Sequence, residues 1–351
     1  MTDPKKINEI FQDLLKQKLE SNPSKPSKPT KQRLSILQVE SLNRRLDNLL
    51  PQFKKAIQDR KLSDAKIVAS DLQQVLRTLN KMTRLVELKN QLFELALEEQ
   101  EYDFAIDGFL SNRILVSNTT RLHLEATALL AIAYLRKTEI EKAKPFIKEV
   151  LENDKVIKTE ATRVRFNREI IARFDEECAL FSLKTTDKIE LNTEQLHTQV
   201  IKLLNSSTEE QLFITIGKSL PKLTKDLLFE VDSFSKKLLS FKEQKLLPQP
   251  EEIIKDEQAG RTVFSAFKRV VYKSLCDPTS EVYKAWYTNA AGSVVDKKYI
   301  TAGVGFALAG QGIGVIALAI SVSVLVLRFG LDIYCERYKP AGVTELRRKK
   351  D

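Results

Sequence analysis

Leu130-Ala-Ile-Ala-Tyr134, followed after five residues by Ile140-Glu-Lys-Ala143-Lys-Pro-Phe-Ile147, sets the reading of the whole chain. Ala143 has a large apolar residue three positions before it and another four positions after it, so all three share one helical face. The polar break between Tyr134 and Ile140 separates two such faces and predicts a helix-turn-helix hairpin. The same spacing recurs twice upstream. With Ala65, Ala105 and Ala143 as anchors, the third position before is Leu62, Tyr102 and Ile140, and the fourth after is Ala69, Phe109 and Ile147. Nine before stand Ala56, Ala96 and Tyr134; twelve before stand Phe53, Phe93 and Ala131. The three anchors are almost evenly spaced along the chain. Each copy predicts a hairpin whose second helix packs its small anchor residue on the first, and stacked hairpins form a solenoid.

The third copy, and the second (Phe93-Glu-Leu-Ala96 with Tyr102-Asp-Phe-Ala105-Ile-Asp-Gly-Phe109), resemble tetratricopeptide repeats over residues 46–155. Three departures stand against that pattern. The spacing exceeds that family's period of about 34 residues, Pro51 falls inside the first helix of copy one, and no proline follows the second helices. The resemblance implies an inner face built from first-helix positions, here Lys54, Asn90, Glu94 and Arg136, and a protein or peptide as its partner. Those residues make no like-charged clamp, so a ligand ending in a carboxylate is not implied.

Outward from the repeats, residues 1–32 read as an amphipathic helix with Ile7, Ile10, Phe11, Leu14, Leu15 and Leu19 on one face, then the linker Asn22-Pro-Ser-Lys-Pro-Ser-Lys-Pro-Thr-Lys31. That helix is a docking peptide in cis or in trans. Residues 33–155 form the solenoid. Residues 156–245 add helices that cap it, with starts at Thr159, Asn192 and Thr208 and a stop near Pro221. Residues 246–258, with Pro248 and Pro250, are a linker. Residues 259–351 form a C-terminal helical domain.

That last domain carries Ile300–Leu327, an unbroken run without a charge in a chain that is 30% charged. Such a run is the usual mark of a membrane segment. Gly310-Gln311-Gly312-Ile313-Gly314 divides it, because glycine costs a helix about 1 kcal/mol relative to alanine. As one helix the run would reach about 42 Å, longer than the roughly 30 Å hydrocarbon core. Lys297 and Lys298 precede it and Arg328 follows it, and the N-terminus lacks an apolar signal core. A hairpin entering the membrane from the cytoplasmic side satisfies both features. A single C-terminal span and a hairpin buried in a soluble core are the alternatives. Trp286 and Tyr287 suit a membrane interface, together with Lys297, Lys298 and Arg328.

The fold class expected is therefore all-α: a tetratricopeptide-like solenoid followed by a helical domain with an apolar membrane hairpin or span. The net charge of +10 reads as a solvated helical surface drawn toward anionic lipid rather than nucleic acid. Cys178, Cys276 and Cys335 are few and scattered, which predicts a reducing compartment and no disulfide framework. His123 and His197 have no ligands at metal spacing, the Gly303–Gly314 cluster lacks the dinucleotide-binding order, and no cofactor is implied. The expectation is a non-enzyme: a membrane-associated adaptor with a cytoplasmic repeat body that binds a protein partner. One alternative is an effector whose apolar hairpin is released and homo-oligomerises through Gly310-x-x-x-Gly314. A soluble interaction protein is the other.

Overall fold

The computed structural model describes residues 35–184, 192–239, 241, 245, 256–284, 297–340 and 342–346. All regular structure among them is helical. The chain divides into two compact units, Met1–Arg44 and Arg45–Asp351. The docking helix and linker of residues 1–32, the prolines at 248 and 250, and Trp286 and Tyr287 lie outside the described residues.

Six helices carry the repeat pattern: α1 (Ile36–Gln58), α2 (Leu62–Thr78), α3 (Met82–Glu98), α4 (Tyr102–Leu115), α5 (Arg121–Arg136) and α6 (Ile140–Glu152). Leu62, Tyr102 and Ile140 open α2, α4 and α6, and the anchors Ala65, Ala105 and Ala143 are fully buried. The backbone repeats with the sequence. Five residues before each anchor the chain turns left-handed, at Arg60 (φ 56°), Gln100 (φ 66°) and Thr138 (φ 58°). The next amide then returns to the carbonyl nine before the anchor: Lys61 to Ala56, Glu101 to Ala96 and Glu139 to Tyr134, each at 2.9 Å. This closes the C-terminal end of each first helix with a left-handed cap.

The same turn also joins α2 to α3. Asn80 has φ 55°, Lys81 donates to Leu76 at 2.8 Å, and buried Leu85 stands where the other turns have alanine. Arg60, Asn80 and Gln100 are evenly spaced, and each marks the passage from one helix to the next. A search keyed to small anchors passes over the middle one because its anchor is a leucine. Pro51 lies inside α1 without ending it. Helix α5, rich in alanine and leucine, is buried along most of its length and touches α3, α4, α6 and the following helix α7 (Glu160–Ser182).

Beyond α7 come α8 (Thr193–Ser206), α9 (Glu209–Ser219), α10 (Lys222–Lys237) and α11 (Asp256–Leu275). Asn192 caps α8 through the amides of Glu194 and Gln195, and Thr208 forms a capping box with Gln211 on α9. Thr159 stands at the N-cap of α7 but makes no side-chain cap bond. Helices α9 and α11 cross with their backbones in contact. A Cβ at Gly260 would lie 2.0 Å from the Phe213 carbonyl oxygen, and one at Gly217 would lie 1.8 Å from that of Asp256. Only glycine permits this approach.

The uncharged run breaks where the glycines are. It forms α12 (Lys297–Ala309) and α13 (Ile316–Phe329), joined by a turn with Gly312 at φ 75°. The pair packs against α8, α9 and α11, and Ile300, Val304, Leu308, Ile313, Leu318, Val324 and Val326 are buried. No single described helix is long and apolar enough to cross a membrane; α13 and α14 (Leu331–Arg337) together have the length and composition but bend by 92°. Helix α14 folds back onto α11: Tyr334 is fully buried and donates to the Lys268 carbonyl at 3.1 Å. This return brings Cys335 to Cys276, and the two form a disulfide with Cα atoms 5.4 Å apart. The expectation of three separate thiols is corrected here. Sequence distance hid the pairing: the two cysteines are 59 positions apart and meet only because α14 packs on α11. Cys178 is free and buried.

Candidate binding groove on the inner face

The four residues assigned to the inner face separate into three kinds. Lys54 is exposed on α1. Asn90 is a buried strut: its amide donates to the Leu122 carbonyl at 3.1 Å, and Asn112 donates to its oxygen at 2.9 Å, tying α3, α4 and α5 together. Glu94 on α3 and Arg136 on α5 are both engaged by other parts of the chain.

Glu94 is met by the segment that follows Gly342. A short 3-10 turn, Val343–Glu345, lies against α3 and α5. The amide of Val343 donates to one Glu94 carboxylate oxygen at 2.5 Å, the amide of Thr344 donates to the other at 3.2 Å, and the Thr344 hydroxyl donates to that second oxygen as well. Val343 and Thr344 are both buried. A Cβ on Gly342 would stand 2.9 Å from the Glu94 carboxyl, so the chain enters at its closest point through glycine. Burial pushes the Glu94 pKa up, against the lowering effect of Thr344 and Val343. Three donors from two consecutive residues thus meet one side chain far back in the sequence.

Arg136 is the centre of a buried charged network. Arg136 donates in parallel to both oxygens of Glu177 at 2.9 Å, to Glu98 at 2.6 Å and to the Leu97 carbonyl at 2.6 Å. Arg173 pairs with Glu98 at 3.1 Å and with Glu177 one turn along α7. Burial would raise the Glu98 pKa, but Arg136, Arg173 and Arg60 together hold it at about 2. Burial likewise opposes the charge on Arg136, and Glu177 and Glu98 more than restore it. The fork geometry of Arg136 satisfies both carboxylates at once, which a lysine could not do.

Helix α11 is fastened to the same edge. Lys273 donates to the Glu98 carbonyl at 3.3 Å and to Glu99 at 3.1 Å, Arg60 pairs with Glu99 at 3.1 Å, and Arg269 pairs with Glu176 at 3.0 Å. Among the residues assigned to a membrane interface, Lys298 pairs with Glu194 on α8 and Arg328 donates to the Leu204 and Ser207 carbonyls at the end of α8, while Lys297 is exposed. Of the membrane-segment positions, Ile300 is buried and Gly310 exposed, with Gly314 and Leu327 between these extremes.

Glu98, Arg173, Glu177 and the segment Gly342–Thr344 were not singled out from the sequence. Arg173 and Glu177 do sit four apart on one helical face, a weak signal for an ion pair. Nothing local distinguishes Val343-Thr344 as a ligand for α3. Among the described residues no three metal-ligating side chains converge. His123 bridges the Arg113 carbonyl at 3.1 Å and Glu149 at 2.8 Å, joining α4, α5 and α6. No family model, no curated protein and no solved structure matches the chain.

Proposed function

We propose that this chain is a non-enzymatic adaptor whose tetratricopeptide-like repeat body takes a short protein segment on its inner face. The observation that carries the reading is Glu94, a groove carboxylate whose oxygens are already met by two amides and a hydroxyl of a turn-forming segment. A partner that offers the same donors competes with the chain's own residues 342–346. A fluorescent peptide of residues 340–346 should bind a full-length Gly342→Leu chain, whose own segment is obstructed, more tightly than the unaltered chain. Adding Glu94→Ala should abolish the gain. Absence of binding to the Gly342→Leu chain defeats the proposal.

A second reading rests on a separate observation, the uncharged run. In it, the adaptor is membrane-associated with its repeat body on the cytoplasmic side, and α12–α13 is the apolar element that reaches the lipid. In its effector form, the hairpin leaves its sheath of α8, α9 and α11 and oligomerises. Burial of the hairpin against those helices supports a stored element rather than one already committed to lipid. Flotation of full-length protein with anionic vesicles, before and after Glu94→Ala loosens the C-terminal segment, separates the cases. Flotation only of the variant supports storage and release. Failure of both to float returns the hairpin to an ordinary core role.

A further inference from the structure

Helix α14 stands between the apolar hairpin before it and the turn on Glu94 after it. It is seven residues long and starts at Gly330 without a side-chain cap bond. A helix this short does not persist in water unless other parts of the chain hold it. Its buried side chains are Leu331 and Tyr334. Tyr334 reaches the Lys268 carbonyl, and the Lys268 ammonium sits 4.3 Å from the centre of the Tyr338 ring just past the helix. A further fastening is covalent, the Cys276–Cys335 disulfide to the end of α11.

That bond is open to selective reduction. Cys276 is buried, but Cys335 is partly exposed, so a thiolate approaches from the Cys335 side. One thiolate of a dithiol reductant bonds to the Cys335 sulfur, and Cys276 leaves as a thiolate. The second thiolate of the reductant then displaces Cys335 and closes the reductant's own disulfide. Two electrons pass to the protein, and the two protons of the dithiol reach Cys276 and Cys335 through solvent. Cys178 takes no part, because it is buried and its thiol pKa is pushed up to about 12, chiefly by that burial. Reoxidation therefore restores the same pair.

Gly342 follows closely after Cys335, so the disulfide fixes the chain just ahead of the turn on Glu94. With the bond opened and α14 loosened, the nearest firm point is the end of α13, where Phe329 stacks on Phe264 of α11. The free tether then runs from 329 to 342 rather than from 335 to 342. On tether length alone, the local concentration of the turn at Glu94 falls roughly two- to threefold. We propose that Cys276–Cys335 is a redox latch on the Glu94 site, which rests on Glu94 being the segment-binding residue proposed above. Oxidised, the latch holds Val343–Glu345 on Glu94; reduced by a dithiol, it lets the turn leave and opens Glu94 to a partner segment.

The test is hydrogen exchange on the full-length protein, oxidised and then in excess dithiothreitol, read at Val343, at Thr344 and along α5. Reduction should speed exchange at both amides at least about twofold while α5 remains protected, and reoxidation should reverse the change. Cys335→Ser should exchange like the reduced chain and should not respond to dithiothreitol. The fluorescent peptide of residues 340–346 should bind the reduced chain at least about twofold more tightly than the oxidised one. Unchanged exchange at Val343 and Thr344, with full reduction shown by thiol titration, would overturn the latch. Free-peptide exchange along α5 on reduction would overturn it too, since the bond would then brace the whole fold. A Gly342→Leu chain that binds no peptide would defeat the Glu94 reading. One that binds it while the reduced chain gains no affinity would overturn the latch alone.

Discussion

Gly260→Ala is the substitution whose cost follows most directly from the structure. The added Cβ would sit 2.0 Å from the Phe213 carbonyl oxygen, 2.8 Å from its carbon and 3.1 Å from the Gly217 nitrogen. Ordinary contact begins at 3.4 Å, so α9 and α11 must move apart at this point before the methyl group can be accommodated. The obstructing atoms are backbone in a capped helix, and no side chain can rotate aside. Overpacking of this kind costs about 1–3 kcal/mol, and a backbone obstruction places it at the upper end. For a large domain each kcal/mol lowers the melting midpoint by about 2–4 °C, which gives a loss of roughly 6–12 °C. Gly330→Ala is the control. Gly330 has no atom within 4 Å of where a Cβ would stand, but its φ 76° with ψ 137° is a conformation close to the one reserved for glycine, so backbone strain of about 1–3 kcal/mol opposes the change with no obstruction at all. Thermal melts followed by the helical circular dichroism signal compare the three proteins. A Gly260→Ala chain that melts with the unaltered one would refute the close crossing of α9 and α11.

Ala105→Leu and Ala143→Leu should each lower stability by about 1–3 kcal/mol in urea melts, while Lys54→Ala on the exposed face of α1 should leave the midpoint in place. Cys335→Ser opens a loop that joins cysteines 59 positions apart and should cost up to about 4 kcal/mol on the chain-entropy account, matched by a reductant acting on the unaltered chain. Glu98 gives a pH signature. Its folded pKa of about 2 lies below the unfolded value of 4.5, so its contribution is present above pH 4.5 and is lost as pH falls toward 2. Melting midpoints of Glu98→Gln should fall less steeply than those of the unaltered chain across that window.

What was legible in the sequence was what local pattern dictates. The recurrence of Ala65, Ala105 and Ala143 located three hairpins and the turn between their helices, because a small buried residue and a polar break are both local features. The division of the uncharged run at Gly310–Gly314 was legible for the same reason. The turn at Asn80 escaped because Leu85 replaces the small anchor, although the backbone there repeats the others. The disulfide escaped because it depends on α14 returning to α11, a tertiary event. Glu94 and Arg136 were reached through the likeness to a repeat family, but their neighbours were not. The side chain of Glu177 comes from α7, outside the repeats, and the donors on Glu94 come from the far end of the chain. A charge with no partner in its own helix is read from sequence as solvated, and only the fold reveals what covers it.

The turn at Val343–Glu345 is held against α3 and α5 through Glu94, and the proposed binding of a protein segment depends on this contact. Amide hydrogen exchange of Val343 and Thr344 in the full-length protein measures it most directly, since both amides donate to that one carboxylate. Both amides should exchange far more slowly than free peptide, and Glu94→Ala should abolish this protection while α5 stays protected. Free-peptide exchange at Val343 and Thr344 in the unaltered chain would contradict it.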